Sequence, residues 1–77
     1  MYLIDSIQTV FREILDDPEL KIDSSTGPND IPDWDSVVQV KIILALEEAF
    51  GIRFTTSEVA ESHTVRDFLR VLERGNA

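Results

Sequence analysis

Cysteine is absent from the 77 residues, so neither a disulfide nor a thiolate metal site can hold this chain together, and nothing in it asks for an oxidising compartment. Glycine and proline occur three times each, and tryptophan, tyrosine and histidine once each. Basic side chains are also scarce: 7 Lys and Arg against 15 Asp and Glu give a net charge of −8. A field of that sign repels nucleic acid and anionic membranes and draws basic protein surfaces inward. No apolar run approaches the roughly 20 residues that span a bilayer. The N-terminus also lacks the basic region and small-residue cleavage site of a signal peptide. The expectation is a soluble, cytoplasmic, monomeric chain with one domain over residues 1–77.

A chain of this length hides only roughly 60% of the surface it would expose when unfolded, so each apolar periodicity carries weight. Leu3, Ile4, Ile7, Val10, Phe11, Ile14 and Leu15 recur at three- and four-residue steps with polar residues between them, the stripe of an amphipathic helix that Pro18 bounds. From Asp16 to Trp34 the pattern gives way to a long loop containing the turn-like run SSTGPND. Seven acids against the single Lys21 lie between Asp16 and Asp35. A second helix is predicted from Ser36, paired with Gln39 as a capping box, to Phe50, with Gly51 suited to a left-handed turn after it. Thr55 and Glu58 form another capping pair ahead of a short helix ending near Glu61. Thr64 and Asp67 begin a fourth, with Val65, Phe68, Leu69 and Leu72 on one face and Arg70 and Arg74 near its C-terminal end. The fold class that follows is all-α, a four-helix bundle with a long first loop and a short third helix.

The second helix has more apolar surface than one buried stripe requires. At 100° per residue, Ile42, Ile43, Leu46, Ala49 and Phe50 share a core face. Val37, Val40 and Leu44 fall on roughly the opposite side with Lys41, Glu47 and Glu48. Either the long loop or the third helix covers this second face, or a partner protein docks on it, as on other rimmed apolar patches. Ser36 opens the helix, where unpaired backbone N–H groups favour an anion. A serine there needs no chemistry beyond capping, worth about 1 kcal/mol.

Ser36 also sits in a longer pattern. The stretch DSVVQVKIILALEEAFGIRFTTSEVAE resembles the signature of acyl carrier proteins, in which Asp-Ser-Leu opens the second helix and an A-L-E-E-x-F run closes it. Here the opening reads Asp35, Ser36, Val37 and the closing run Ala45 to Phe50. Length, helix order, long first loop and short third helix extend the similarity over nearly the whole chain. The resemblance implies that a phosphopantetheinyl transferase attaches 4′-phosphopantetheine from coenzyme A to Ser36, with Asp35 as its motif neighbour. The terminal thiol of that arm then carries acyl groups as thioesters. It further implies docking of basic partner surfaces, on transferase and on acyl-loading and acyl-processing enzymes, at Val37, Val40, Lys41, Leu44, Glu47 and Glu48. Leu46, Phe54 and Val59 become candidates to line a cargo space between the second and third helices. A Phe54 turned inward would shorten that space and favour small or polar cargo.

No catalytic constellation accompanies the serine. A carboxylate such as that of Asp35 is too weak a base for a serine hydroxyl at neutral pH, and His63 is placed in a surface link. The chain is therefore read as a non-catalytic carrier. Departures from the family refine the expectation. Val37 replaces leucine, Val38 and Lys41 stand at commonly acidic positions, and Asp33-Trp34 replaces a pair of small residues. The valine-for-leucine change should leave docking intact, whereas Val38 and Lys41 make the upper part of the helix less negative, which argues against housekeeping fatty acid synthesis and for a specialised polyketide, lipid or secondary pathway. Trp34 either packs on the first helix or shelters the arm. A D-alanyl-type aminoacyl carrier, or an unmodified interaction module of the same fold, are the alternatives.

Overall fold

The computed structural model describes residues 2–75. Its helices are α1 (Tyr2–Leu15), α2 (Ser36–Phe50), α3 (Thr56–Glu61) and α4 (Val65–Gly75), with a 3₁₀ turn at Pro28–Asp30, and no strand occurs among the described residues. Helix α1 packs on α2 and α4. Its stripe delivers Ile7, Val10 and Phe11 to the core, while Leu3, Ile4, Ile14 and Leu15 are half-buried around them. The chain leaves α1 through Asp16, in a left-handed conformation at φ 54°, with Pro18 two residues further on.

Aromatic rings fill the centre. Phe11 meets Trp34 edge-on at 5.0 Å and Phe68 at 6.3 Å, Trp34 stacks on Phe68 at 6.1 Å, and Phe54 meets Phe68 at 6.2 Å. Such offset and edge-to-face contacts suit the ring quadrupole and add to what area burial gives. In α4 the buried residues are Val65, Phe68, Val71 and Leu72, so Val71 joins the predicted stripe and Leu69 is only half-buried. In α2 the stripe is covered at Ile42, Ile43 and Leu46; Ala49 is exposed and Phe50 half-buried, so the expected core face ends a turn early.

The long loop is pinned by its backbone. Arg12 donates Nε–H to the Leu20 carbonyl at 2.7 Å, and Gln8 accepts the Ile22 N–H at 2.9 Å. The carbonyls of Thr26 and Ser24 accept the N–H groups of Val65 and Arg66 at 3.0 Å each, so the loop caps the start of α4. Gly51 closes α2 at φ 65°, the left-handed conformation that glycine adopts without penalty.

Polar contacts hold α3, which buries none of its own residues. Thr55 and Glu58 form the predicted reciprocal capping box. Arg74 of α4 grips Glu58 through two nitrogens at 2.6 and 2.8 Å. That guanidinium, followed by the Thr55 N–H, holds the Glu58 carboxyl below its ordinary value of 4.5. Desolvation pushes the Asp67 carboxyl up, but the His63 and Thr64 N–H groups outweigh it, and the result lies below 3.8. Both groups therefore favour the folded state fully above their unfolded values and lose that contribution as pH falls through the lower folded ones. Urea midpoints are expected to change little from neutral pH down to about 5 and to decline gradually below about 4, by a modest amount because both carboxyls lie at the solvent-facing surface. The drop should be shallower in Glu58→Gln, which lacks the carboxyl.

Candidate functional site: the head of helix α2

The cap of α2 is one residue earlier than the sequence pattern places it. Asp35, extended at φ −107° and ψ −172°, accepts the Val38 N–H on Oδ1 at 2.9 Å, and Ser36 is the first residue of the helix. The capping box between Ser36 and Gln39 does not form. An aspartate carboxylate is as good a cap as a serine hydroxyl, and here it takes the work, leaving an exposed Ser36 with its hydroxyl outside the cap. Gln39 is put to another use: its Oε1 accepts the Trp34 indole N–H at 2.7 Å, and its amide donates to the Ser62 carbonyl at 2.6 Å.

That bridge ties the start of α2 to the link between α3 and α4. Trp34 is buried with its ring against Phe11 of α1, the first of its two expected placements, and it also borders the surface beside Ser36. There it helps to form a solvent-open concavity of ≈ 270 Å³, shared with Pro28, Gln39, Val59, Ser62 and His63. His63 is exposed, and its backbone N–H donates to Asp67 Oδ2 at 2.8 Å. Pro28, Gln39, Ser62 and His63 were not among the site residues expected from sequence. Gln39 and Ser62 meet across 23 positions, and no local pattern announces such a pair.

The outer face of α2 lies open. Val37, Val40 and Leu44 are 60%, 53% and 58% exposed, and neither the loop nor α3 folds over them. Lys41 and Glu48 are exposed on the same helix. Glu47 is half-buried because its Oε2 accepts the Phe54 N–H at 2.8 Å, which fastens the turn after α2. Its carboxylate therefore has a structural task beside any recognition. The three cargo-space candidates are not brought together in one wall. Leu46 is fully buried, Phe54 is turned inward against Phe68, and Val59 alone borders the concavity, 41% exposed.

An exposed serine at the head of a helix, flanked by an acid that does the capping and by an open apolar face, is a suitable point for a covalent group. Residues 5–72 match the family model for the phosphopantetheine attachment site. Among solved structures, the holo acyl carrier protein from Geobacter metallireducens is 28% identical, with a TM-score of 0.89 over 99% of this chain and 87% of that one. A Mycobacterium tuberculosis protein proposed to be an acyl carrier protein is 21% identical, with a TM-score of 0.83 over 94% of this chain and 96% of that one, a likeness of fold alone. No curated protein matches at a significant level. With a family match that spans the bundle from α1 into α4, the chain belongs to the acyl carrier protein family, carriers with a covalently attached phosphopantetheine.

Proposed function

We propose that Ser36 is the attachment residue and that the chain carries acyl groups between partner enzymes of a specialised pathway, such as polyketide, modified lipid or other secondary metabolism. The observation that carries this reading is the exposed Ser36 at the first turn of α2, relieved of capping by Asp35. The residues fit the group. The first N–H groups of a helix have no intrahelical partners and favour a phosphodiester oxygen nearby, and the concavity next to Ser36 leaves room for an arm to lie against the protein. When bound, the group supplies a thiol on a flexible tether, where cargo is held as a thioester.

The chain's own part is to present and to be recognised. A carboxylate is too weak a base for a serine hydroxyl at neutral pH, and Oδ1 of Asp35 already accepts the Val38 N–H, so the base that takes the Ser36 proton is left to the transferase. Val37, Val40 and Leu44 offer that enzyme an apolar patch, with Glu48 at one end of the helix for a basic residue. Lys41 leaves the half nearer Ser36 without an acid, which supports a partner set apart from one selected for a uniformly acidic helix.

Incubation with coenzyme A and a promiscuous phosphopantetheinyl transferase, followed by intact-mass spectrometry, tests the assignment. One phosphopantetheine is expected on the wild type and none on Ser36→Ala. The variant should keep its circular dichroism spectrum and melting temperature, because the cap is made by Asp35. A wild-type chain that stays unmodified, or a modified Ser36→Ala, would sink the proposal.

A further inference from the structure

The hollow beside Ser36 has a mostly apolar wall, given by Pro28, Trp34 and Val59, and most of the polar side chains that border it are already engaged. The Trp34 indole N–H is held by Gln39, the Gln39 amide by the Ser62 carbonyl, and the Ser62 hydroxyl by the Glu58 carbonyl at 2.6 Å. Asp35 accepts the Val38 N–H. Ser36 aside, that leaves His63. Its imidazole makes no hydrogen bond or ion pair among the described residues, although its backbone is fixed by Asp67, whose Oδ2 accepts the N–H groups of His63 and Thr64 at 2.8 and 3.1 Å. The ring is free on a backbone that is not.

His63 is also the one side chain in this wall that can carry positive charge. The charged groups on the elements around it are mostly of the other sign: Asp30 in the 3₁₀ turn, Asp35 at the head of α2, Glu61 at the end of α3 and Asp67 in the first turn of α4, against Arg66. Asp30, Asp35 and Asp67 are committed to the backbone N–H groups of Gly27, of Val38, and of His63 with Thr64. A phosphodiester on Ser36 adds a further negative charge to this acidic surface. The first N–H groups of α2 face it from the helix. In the wall of the hollow the only uncommitted side-chain donor is the His63 ring. A protonated imidazole bonds an anionic oxygen more strongly than a neutral donor does, and the apolar wall offers neither of them a competing partner.

Resting on the reading of Ser36 as the attachment point, we infer that His63 is the positioning residue for the root of the arm: its imidazolium pairs with the phosphodiester across the hollow they share and seats it against the protein. Histidine is the side chain whose charge ordinarily changes between about pH 5 and 8. The root is therefore seated while the ring is protonated and let go once the ring is neutral. At so open a site the pairing is weak enough for a partner enzyme to displace it.

The test reads the phosphorus atom itself. A phosphodiester lacks the second ionisation that a phosphate monoester shows near pH 6, so its phosphorus NMR resonance stays level from about pH 5 to 8 unless a neighbouring group titrates. His63 is the only histidine in the chain. In the holo chain, with attachment checked by intact mass, the phosphorus resonance is expected to follow a single step that coincides with the titration of the imidazole ring protons. His63→Gln should abolish the step, and His63→Arg should hold the resonance near its low-pH position throughout. Both variants should melt with the wild type, because the side chain is exposed and the backbone bond to Asp67 remains. A level resonance in the wild type, or a step that survives in either variant, overturns the inference while leaving Ser36 as the attachment point. An unmodified Ser36 removes the attachment and this inference with it.

Discussion

Replacing Phe68 with alanine is expected to lower the melting temperature by roughly 15–30 °C, the largest effect of any single truncation in the core. The ring has no exposed surface and lies within 6.1 to 6.3 Å, centroid to centroid, of Trp34, Phe54 and Phe11. It is the point where α1, α4, the end of the long loop and the segment before α3 meet. Truncation of a buried phenylalanine typically costs about 3–5 kcal/mol. At about 0.05–0.15 kcal/mol per residue, a chain of this length has roughly 4–12 kcal/mol in all. The variant should therefore be close to its folding threshold at 37 °C. Phe50→Ala, at the half-buried end of α2, is the control and should lose much less. Thermal melts followed by circular dichroism decide it: a loss of only a few degrees in Phe68→Ala would mean that the aromatic cluster is not the keystone described here.

Phe68 was legible in the sequence because it lies on a stripe with Val65 and Leu72, and helical stripes follow from spacing alone. The same is true of Ile42, Ile43 and Leu46, and of the open face of Val37, Val40 and Leu44, which emerges once a second apolar arc is found on one helix. Local chemistry also gives the reciprocal cap of α3 and the left-handed Gly51. What spacing could not settle was the choice between two adjacent caps. Asp35 and Ser36 are equally able to cap, and the choice depends on how the backbone enters the helix. Trp34 fixes that entry by packing on Phe11 and Phe68, which are distant in sequence. Gln39 misleads for the same reason: a glutamine three residues after a serine has the spacing of a capping partner, but its contacts are with Trp34 and Ser62, and the second of these is distant in sequence. Nor do the Thr26 and Ser24 carbonyls that cap α4 leave any mark in the sequence, since every residue there has a carbonyl. The hollow beside Ser36 is a product of these non-local contacts and was accordingly invisible.

Leu44→Arg should do the reverse of Phe68→Ala, leaving the fold intact and impairing recognition. Leu44 is 58% exposed, while Leu46, two residues on and about 200° around the helix, has no exposed surface. A surface substitution of this kind normally changes stability by no more than about 0.5 kcal/mol, so the melting temperature should stay within a few degrees of wild type. Leu44 also lies about 12 Å along the axis from Ser36, too far for the new side chain's backbone position to disturb the hydroxyl. A guanidinium in the middle of an apolar contact must be desolvated without a partner, and it faces a basic surface if the transferase is matched to Glu48. The expected result is a fall of about ten- to a hundredfold in kcat/KM for Ser36 modification, carried by KM with kcat little changed, because only binding is impaired. Leu44→Met, which keeps the apolar contact, should retain most of the activity. A large drop in melting temperature would show that the two faces of α2 have been exchanged in this account. An unchanged kcat/KM in a folded Leu44→Arg would show instead that the transferase reads the serine from another side, and the open face of α2 would then have to be assigned to a different partner.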